Sequence, residues 1–238
     1  LDAQRVADFL NGFADRIEEQ KDEIVAMANK ETALPSAPRL ADVELPRTTG
    51  QLRQAAAAVT ERSWTLPVID SANGIRSLHS SLRGVVLVFG PNNFPLAFNS
   101  ISGGDFAAAI ASGNAVIAKG NSSHPGTTRL LAEEALKALE EAGLPPALVQ
   151  LIYRTPHDVG ARMVAHHRSA ALAYTGSRQA GLMLKAASEK AGKPAYLELS
   201  SVNPVVVLPK ILEAKAKELA DSGEIVIAEA GGEDEMIY

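Results

Sequence analysis

The chain has 238 residues, 46% hydrophobic and 21% charged, the make-up of a globular protein with room for one large or two ordinary domains. A net charge of −5 argues against non-specific nucleic-acid binding, and no apolar run reaches the ~18 residues of a membrane span. There is no cysteine, so these residues carry neither a disulfide framework nor thiol chemistry.

Residues 1–33 are predicted as one helix, because Val6, Phe9, Leu10, Phe13 and Ile17 share a face at helical spacing. Pro35 and Pro38 close it; no secretory leader is visible, and the chain opens within the helical pattern. Residues 43–64 suit a second helix entered after Pro46, followed by a polar connection containing Pro67 and Gly74. A strand is expected over 83–89 and, past a Pro–Asn turn, a helix over 99–111. The pattern then alternates: strand 114–120, helix 124–143, strand 148–153, helix 158–166, strand 170–177, helix 178–192, and strands 194–200 and 204–209. Short apolar strands alternating with helices predict an α/β fold, a Rossmann-like parallel sheet with flanking helices.

In such sheets ligands bind at the carboxyl ends of the strands, and four candidate sites fall there. The first is the stretch FGPNNFPLAFN, where two prolines bracket Asn92 and Asn93. Asparagine is common in turns for its own backbone bonding, and ordinary turn chemistry is one reading. The other is an amide N–H aimed at a reacting oxygen. The second is Lys119, the last polar residue of a buried strand, either a solvated strand end or part of a ligand site. The third is Thr175, Gly176 and Ser177, which leave a strand and open a helix. Free N–H groups there suit an anion, though a simple serine cap explains the same residues. The Gly176–Gly181 spacing is not the dinucleotide G-x-G-x-x-G fingerprint. The fourth is Glu198, set in an apolar strand, where burial would raise its pKa and suit it to general-base work; a salt bridge at the strand edge is the alternative.

Taken in this order, the four resemble the aldehyde dehydrogenase superfamily. PNNFPL is similar to its Pro-Trp-Asn-Phe-Pro-Leu motif, with Asn92 in the tryptophan's place. ASGNAVIAKGNSSHPG resembles its Ala-Gly-Asn…Lys-Pro-Ser-Glu segment, YTGS its Phe-Thr-Gly-Ser turn, and LELSSVNP its Leu-Glu-Leu-Gly-Gly-Lys-x-Pro. Within the superfamily, RTTGQLR, NFPLAF, HPGT and the ELSSVNP end of the last motif resemble the α-ketoglutaric semialdehyde (2,5-dioxovalerate) dehydrogenases.

The resemblance implies NAD(P)-dependent oxidation of a small-molecule aldehyde, expected to be α-ketoglutaric semialdehyde, to a carboxylic acid. A cytoplasmic homodimer or homotetramer is expected, with no nucleic-acid or membrane partner. Asn93 matches the oxyanion-hole asparagine, leaving Asn92 as the structural member of the pair. Glu198 matches the base that activates water for thioester hydrolysis. Lys119 matches the lysine on the adenine-side ribose, and Thr175, Gly176 and Ser177 match the turn under the pyrophosphate. Ser122 stands where the family usually has an acid, which removes repulsion of a 2′-phosphate and points to NADP as well as NAD. Ser200 and Ser201 replace a Gly-Gly pair.

The largest departure is the nucleophile: the chemistry needs a thiol, and the family's Gly-Gln-x-Cys-Thr stretch has no counterpart here. The expected organisation is therefore N-terminal helices plus a coenzyme-binding domain over 1–208 and a catalytic-domain remnant over 209–238. The rest of that domain is expected to be missing, with a break near Ser222 and Gly223. The alternative is a catalytically inactive dinucleotide-binding or scaffolding module.

Overall fold

A computed structural model of the protein describes residues 1–200 together with Lys215 and Lys217. The strand expected at 204–209, the boundary at 208/209 and the break near Ser222 and Gly223 lie outside the described residues, as does the remnant expected over 209–238 apart from the helical Lys215 and Lys217.

The expected first helix is two, α1 (Ala3–Glu19) and α2 (Lys21–Thr32). Gln20, with φ −97° and ψ +16°, turns the chain between them without a proline or glycine. The bend has a packing reason. The α1 stripe of Phe9, Leu10, Phe13 and Ile17 buries against later helices, while Ile24, Val25 and Ala28 of α2 carry the burial on in a new direction. Asp2 caps α1 by accepting the Arg5 N–H. α3 (Leu45–Glu61) has Pro46 in its first turn, where the missing N–H costs nothing.

The polar connection that follows contains an antiparallel ribbon, β1 (Val68–Asp70) and β2 (Ile75–Ser77), in the register Val68 to Ser77. Its signal is the Asn73-Gly74 pair: Gly74 has φ +66°, and the Asp70 carboxylate accepts both the N–H and the amide of Asn73.

The remaining elements form one parallel sheet. In chain order they are β3 (Val85–Phe89), α4 (Gly104–Ala111), β4 (Val116–Lys119), α5 (Pro125–Glu141), β5 (Val149–Ile152), α6 (His157–Ala165), β6 (Ser169–Thr175), α7 (Arg178–Lys190) and β7 (Ala195–Glu198). The strand order is β5-β4-β3-β6-β7, with every neighbour parallel. α4 starts five residues later than predicted because Asn99 builds a turn in front of it. Its carbonyl accepts from the N–H groups of Ser102 and Gly103, and its side chain accepts from Ile101.

The period-two alternation of strands gives the sheet two dry faces. Val86, Val88, Val116, Ala118, Ala171 and Ala173 join the core under α1–α5. Leu87, Phe89, Leu172 and Tyr174 join a smaller core with Val164 of α6 and Leu184 of α7. On the larger side Phe9, Phe13 and Phe106 pack together, Phe106 edge-on to both others. Helices thus cover both faces and leave the strand ends for ligands.

Candidate functional site

Strand order reverses between β3 and β6. The chain runs outward from β3 through β4 to β5, then returns to lay β6 against the other side of β3. The carboxyl ends of these strands therefore diverge into a crevice, the usual ligand position in an open α/β sheet. A cleft of about 820 Å³ lies there, and Lys119, Ser122, Thr175, Gly176 and Ser177 all line it. Residues separated by up to 58 positions in the sequence (119 to 177) thus face one space.

Each reaches the cleft for a local reason. Lys119 ends β4, opposite Phe89 of β3 and Ile152 of β5. Burial pushes its ammonium below the usual lysine range, and the charge of Arg154 adds to this. Arg154, just beyond β5, lines the same cleft and carries no sequence motif. Two cations and the exposed Ser122 hydroxyl thus face one region, a donor set suited to phosphate.

Thr175 closes β6, Gly176 turns, and Ser177 caps α7 by accepting the Ala180 N–H at 3.4 Å. The cap and the anion site coexist, since the first-turn N–H groups of Arg178 and Gln179 have no intrahelical acceptor. Gly176 has φ +156°, and a Cβ there would lie 2.7 Å from the Tyr174 hydroxyl. That hydroxyl, absent from the family's phenylalanine, donates to the Ser177 carbonyl at 3.2 Å and helps hold the turn.

The Pro91–Asn93 turn is held by distant residues instead. Asn121 Nδ2 donates to the Gly90 carbonyl at 3.1 Å, and the Pro91 carbonyl lies 2.9 Å from Nε2 of the buried His124. Arg39 Nη2 donates to the Asn93 carbonyl at 3.1 Å, while its Nη1 bonds the Glu44 carboxylate at 2.6 Å. Glu44, only 1% exposed, accepts the N–H groups of Leu96 at 2.7 Å and Ala97 at 3.0 Å with its other oxygen. A buried carboxylate with three donors is a paired charge, and it fixes the chain immediately after the asparagines. Neither the sequence motifs nor helix periodicity singles out Glu44 or Arg39. The only available signal is a charged residue just ahead of a proline-started helix.

Asn93 is exposed, and its side-chain amide makes no hydrogen bond among the described residues, so its donors are open. Asn92, read as the structural member, lines the cleft instead. Glu198 departs from its expected environment. It ends β7 paired with Thr175, its carbonyl accepts the Gly176 N–H at 3.0 Å, and its side chain is exposed. Alternation is the reason: Ala195 and Leu197 face the smaller core, so Tyr196 and Glu198 point away. The side chain of Glu198 is thus exposed where burial was expected. Asn93 and Glu198 do not line the cleft, although both lie at the carboxyl edge of the sheet.

Comparison with known proteins is consistent across sequence and structure. The aldehyde dehydrogenase family profile matches residues 1–225. The chain is 38% identical over 224 residues to alpha-ketoglutaric semialdehyde dehydrogenase 2 of Azospirillum brasilense, covering 90% of this chain and 42% of that protein. It is 37% identical over 227 residues to alpha-ketoglutaric semialdehyde dehydrogenase of Acinetobacter baylyi, covering 91% of this chain and 42% of that one. Among solved structures it is similar to glyceraldehyde-3-phosphate dehydrogenase GapN of Methanocaldococcus jannaschii complexed with NADP. That match has a TM-score of 0.70 at 28% identity and covers 86% of this chain and 43% of the other. The chain thus spans well under half the length of the relatives it matches.

Proposed function

Because the chain belongs to the aldehyde dehydrogenase family, we propose that it is the coenzyme-binding part of an enzyme that oxidises an aldehyde to a carboxylic acid with NADP or NAD. The observation that carries this reading is the convergence of Lys119, Ser122 and the Thr175–Gly176–Ser177 turn on one switch-point cleft. The substrate proposed is α-ketoglutaric semialdehyde and the product 2-oxoglutarate, as the names of the two semialdehyde relatives suggest. Arrangement as a cytoplasmic homodimer or homotetramer belongs to the same proposal, as does assignment of residues 1–208 to the coenzyme-binding domain.

NADP, when bound, takes up the two electrons that the aldehyde carbon loses. The residues of the chain bind and orient. The first-turn N–H groups of α7 and the Gly176 turn would hold the pyrophosphate, and Lys119 would hold the adenine-side ribose. Ser122, in the same cleft as Lys119 and Arg154, would tolerate a 2′-phosphate where an acid would repel it.

Asn93 donates its amide N–H to the aldehyde oxygen as negative charge develops there. Arg39 holds the Asn93 backbone carbonyl, which fixes the turn that carries the amide. Glu198 takes a proton from the water that hydrolyses the acyl intermediate. The thiol that forms this intermediate is not among the 238 residues, and the reading assigns it to sequence outside them.

The test uses the full-length protein with α-ketoglutaric semialdehyde. Coenzyme reduction is expected, and Asn93→Ala is expected to lower kcat ~10²–10³-fold while leaving the NADP Kd unchanged. NADP binding with no aldehyde-dependent reduction would instead support the catalytically inactive module.

A further inference from the structure

The turn that carries Asn93 has a second face, away from the coenzyme cleft. Pro91 and Asn92 line the cleft, but Phe94 and Phe98 do not. These two rings meet edge to face, with centroids 5.1 Å apart, and each has an arginine against it. Arg39 lies 4.3 Å from the Phe94 centroid, and Arg47 lies 4.8 Å from Phe98 and 6.0 Å from Phe94.

The two arginines differ in what remains open. Arg39 is satisfied by the Glu44 carboxylate and the Asn93 carbonyl. Arg47, three residues after Glu44 in the first turn of α3, is exposed and makes no hydrogen bond or ion pair among the described residues. It is a cation whose guanidinium lies against two aromatic rings and whose hydrogen-bond donors are unused. Arginine in that state is preorganised for a carboxylate, because a guanidinium is weakly hydrated and binds both oxygens at once.

We propose that Arg47 anchors a carboxylate carried by the substrate at the end remote from its aldehyde, making it a specificity-determining residue. The inference rests on the aldehyde-oxidising reading above, and it names the substrate class of that site. An aldehyde oxygen placed at Asn93 sits one residue from Phe94, with the coenzyme on the Asn92 side. The rest of the substrate then extends over the Phe94–Phe98 face toward Arg47. α-Ketoglutaric semialdehyde has this polarity, an aldehyde at one end and a carboxylate at the other. A bland alternative is an arginine that merely covers two surface rings, worth little and blind to substrate charge.

The test is the ratio of kcat/KM for α-ketoglutaric semialdehyde to that for pentanal, which has the same chain length and no charge, in the full-length protein. In Arg47→Gln the ratio should fall roughly 10- to 100-fold, mostly through KM, the loss expected for a charged hydrogen-bonded contact. Arg47→Lys, which keeps the charge but not the fork, should fall between. An unchanged ratio, whether both substrates drop together or neither does, overturns the proposal.

A second measurement needs no turnover: calorimetric titration with 2-oxoglutarate. Wild-type binding that weakens in Arg47→Gln supports the anchor even if no aldehyde is oxidised, in which case the oxidation reading alone fails. No binding to the wild type, or equal binding to the variant, overturns the anchor.

Discussion

Two turns at the carboxyl edge of the sheet are built by opposite means. The Thr175–Ser177 turn is held largely by its own residues: its cap is Ser177, its unusual backbone angle belongs to Gly176, and its brace is Tyr174, three residues before the capping serine, with one bond from outside, the Gly176 N–H to the Glu198 carbonyl. The Pro91–Ala97 segment is held from outside, by Arg39 and Glu44 ahead of α3 and by Asn121 and His124 ahead of α5. The comparison teaches where rigidity has to be imported. A pyrophosphate site needs only the free N–H groups of a helix start, which local sequence can supply. The Pro91–Ala97 segment has no ladder of its own, so its backbone groups are satisfied by side chains from elsewhere.

If that contrast is right, the largest effect should come from the remote support. Glu44→Ala orphans two buried N–H groups and takes the carboxylate from the Arg39 guanidinium, which keeps only the Asn93 carbonyl, so the full-length protein is expected to lose about 3–5 kcal/mol in urea unfolding. A loss below ~1 kcal/mol, the size of an ordinary surface change, would mean that the turn is self-supporting and would erase the contrast.

Gly176→Ala comes next. Both the backbone angle and the close Tyr174 hydroxyl oppose a Cβ, at a cost of about 1–3 kcal/mol, and NADP should bind around tenfold more weakly by fluorescence titration. Unaltered affinity would show that this turn does not touch the coenzyme.

Ser122→Glu sharpens the picture of the cleft. It sets a carboxylate against the position assigned to the 2′-phosphate, so the NADP Kd should rise about tenfold more than the NAD Kd. Equal effects on both coenzymes would remove Ser122 from the ribose.

The smallest change is expected for Ser177→Ala. Loss of a cap whose bond is already long should cost about 0.5–1 kcal/mol and barely alter coenzyme affinity. A loss as large as that of Glu44→Ala would reverse the ranking of the two turns.

The β1–β2 ribbon shows a different limit of sequence reading. Its strands have three residues each, too short for alternation to register, and Val68, Ile69 and Ile75 are exposed. By sequence alone this stretch reads as a polar connection, and only the pairing around the Asn73–Gly74 turn makes its flanks strands.

Sequence by itself determined the alternation of strands and helices, the two-sided burial of β3, β4 and β6, and the residue types at their carboxyl ends. These follow from local chemistry: apolar runs of strand length, prolines and glycines as punctuation, and serine as a helix cap. It also carried the family resemblance, since the motifs around Asn93, Lys119, Thr175 and Glu198 are short and ordered. Tertiary structure alone decided the bend at Gln20, the entry of Arg154 into the cleft, the exposed position of Glu198 and the Glu44–Arg39 brace. Each depends on contacts between residues far apart in the chain. Glu44 meets Leu96 across 52 positions, and no periodicity or motif encodes which distant donor a buried carboxylate will find.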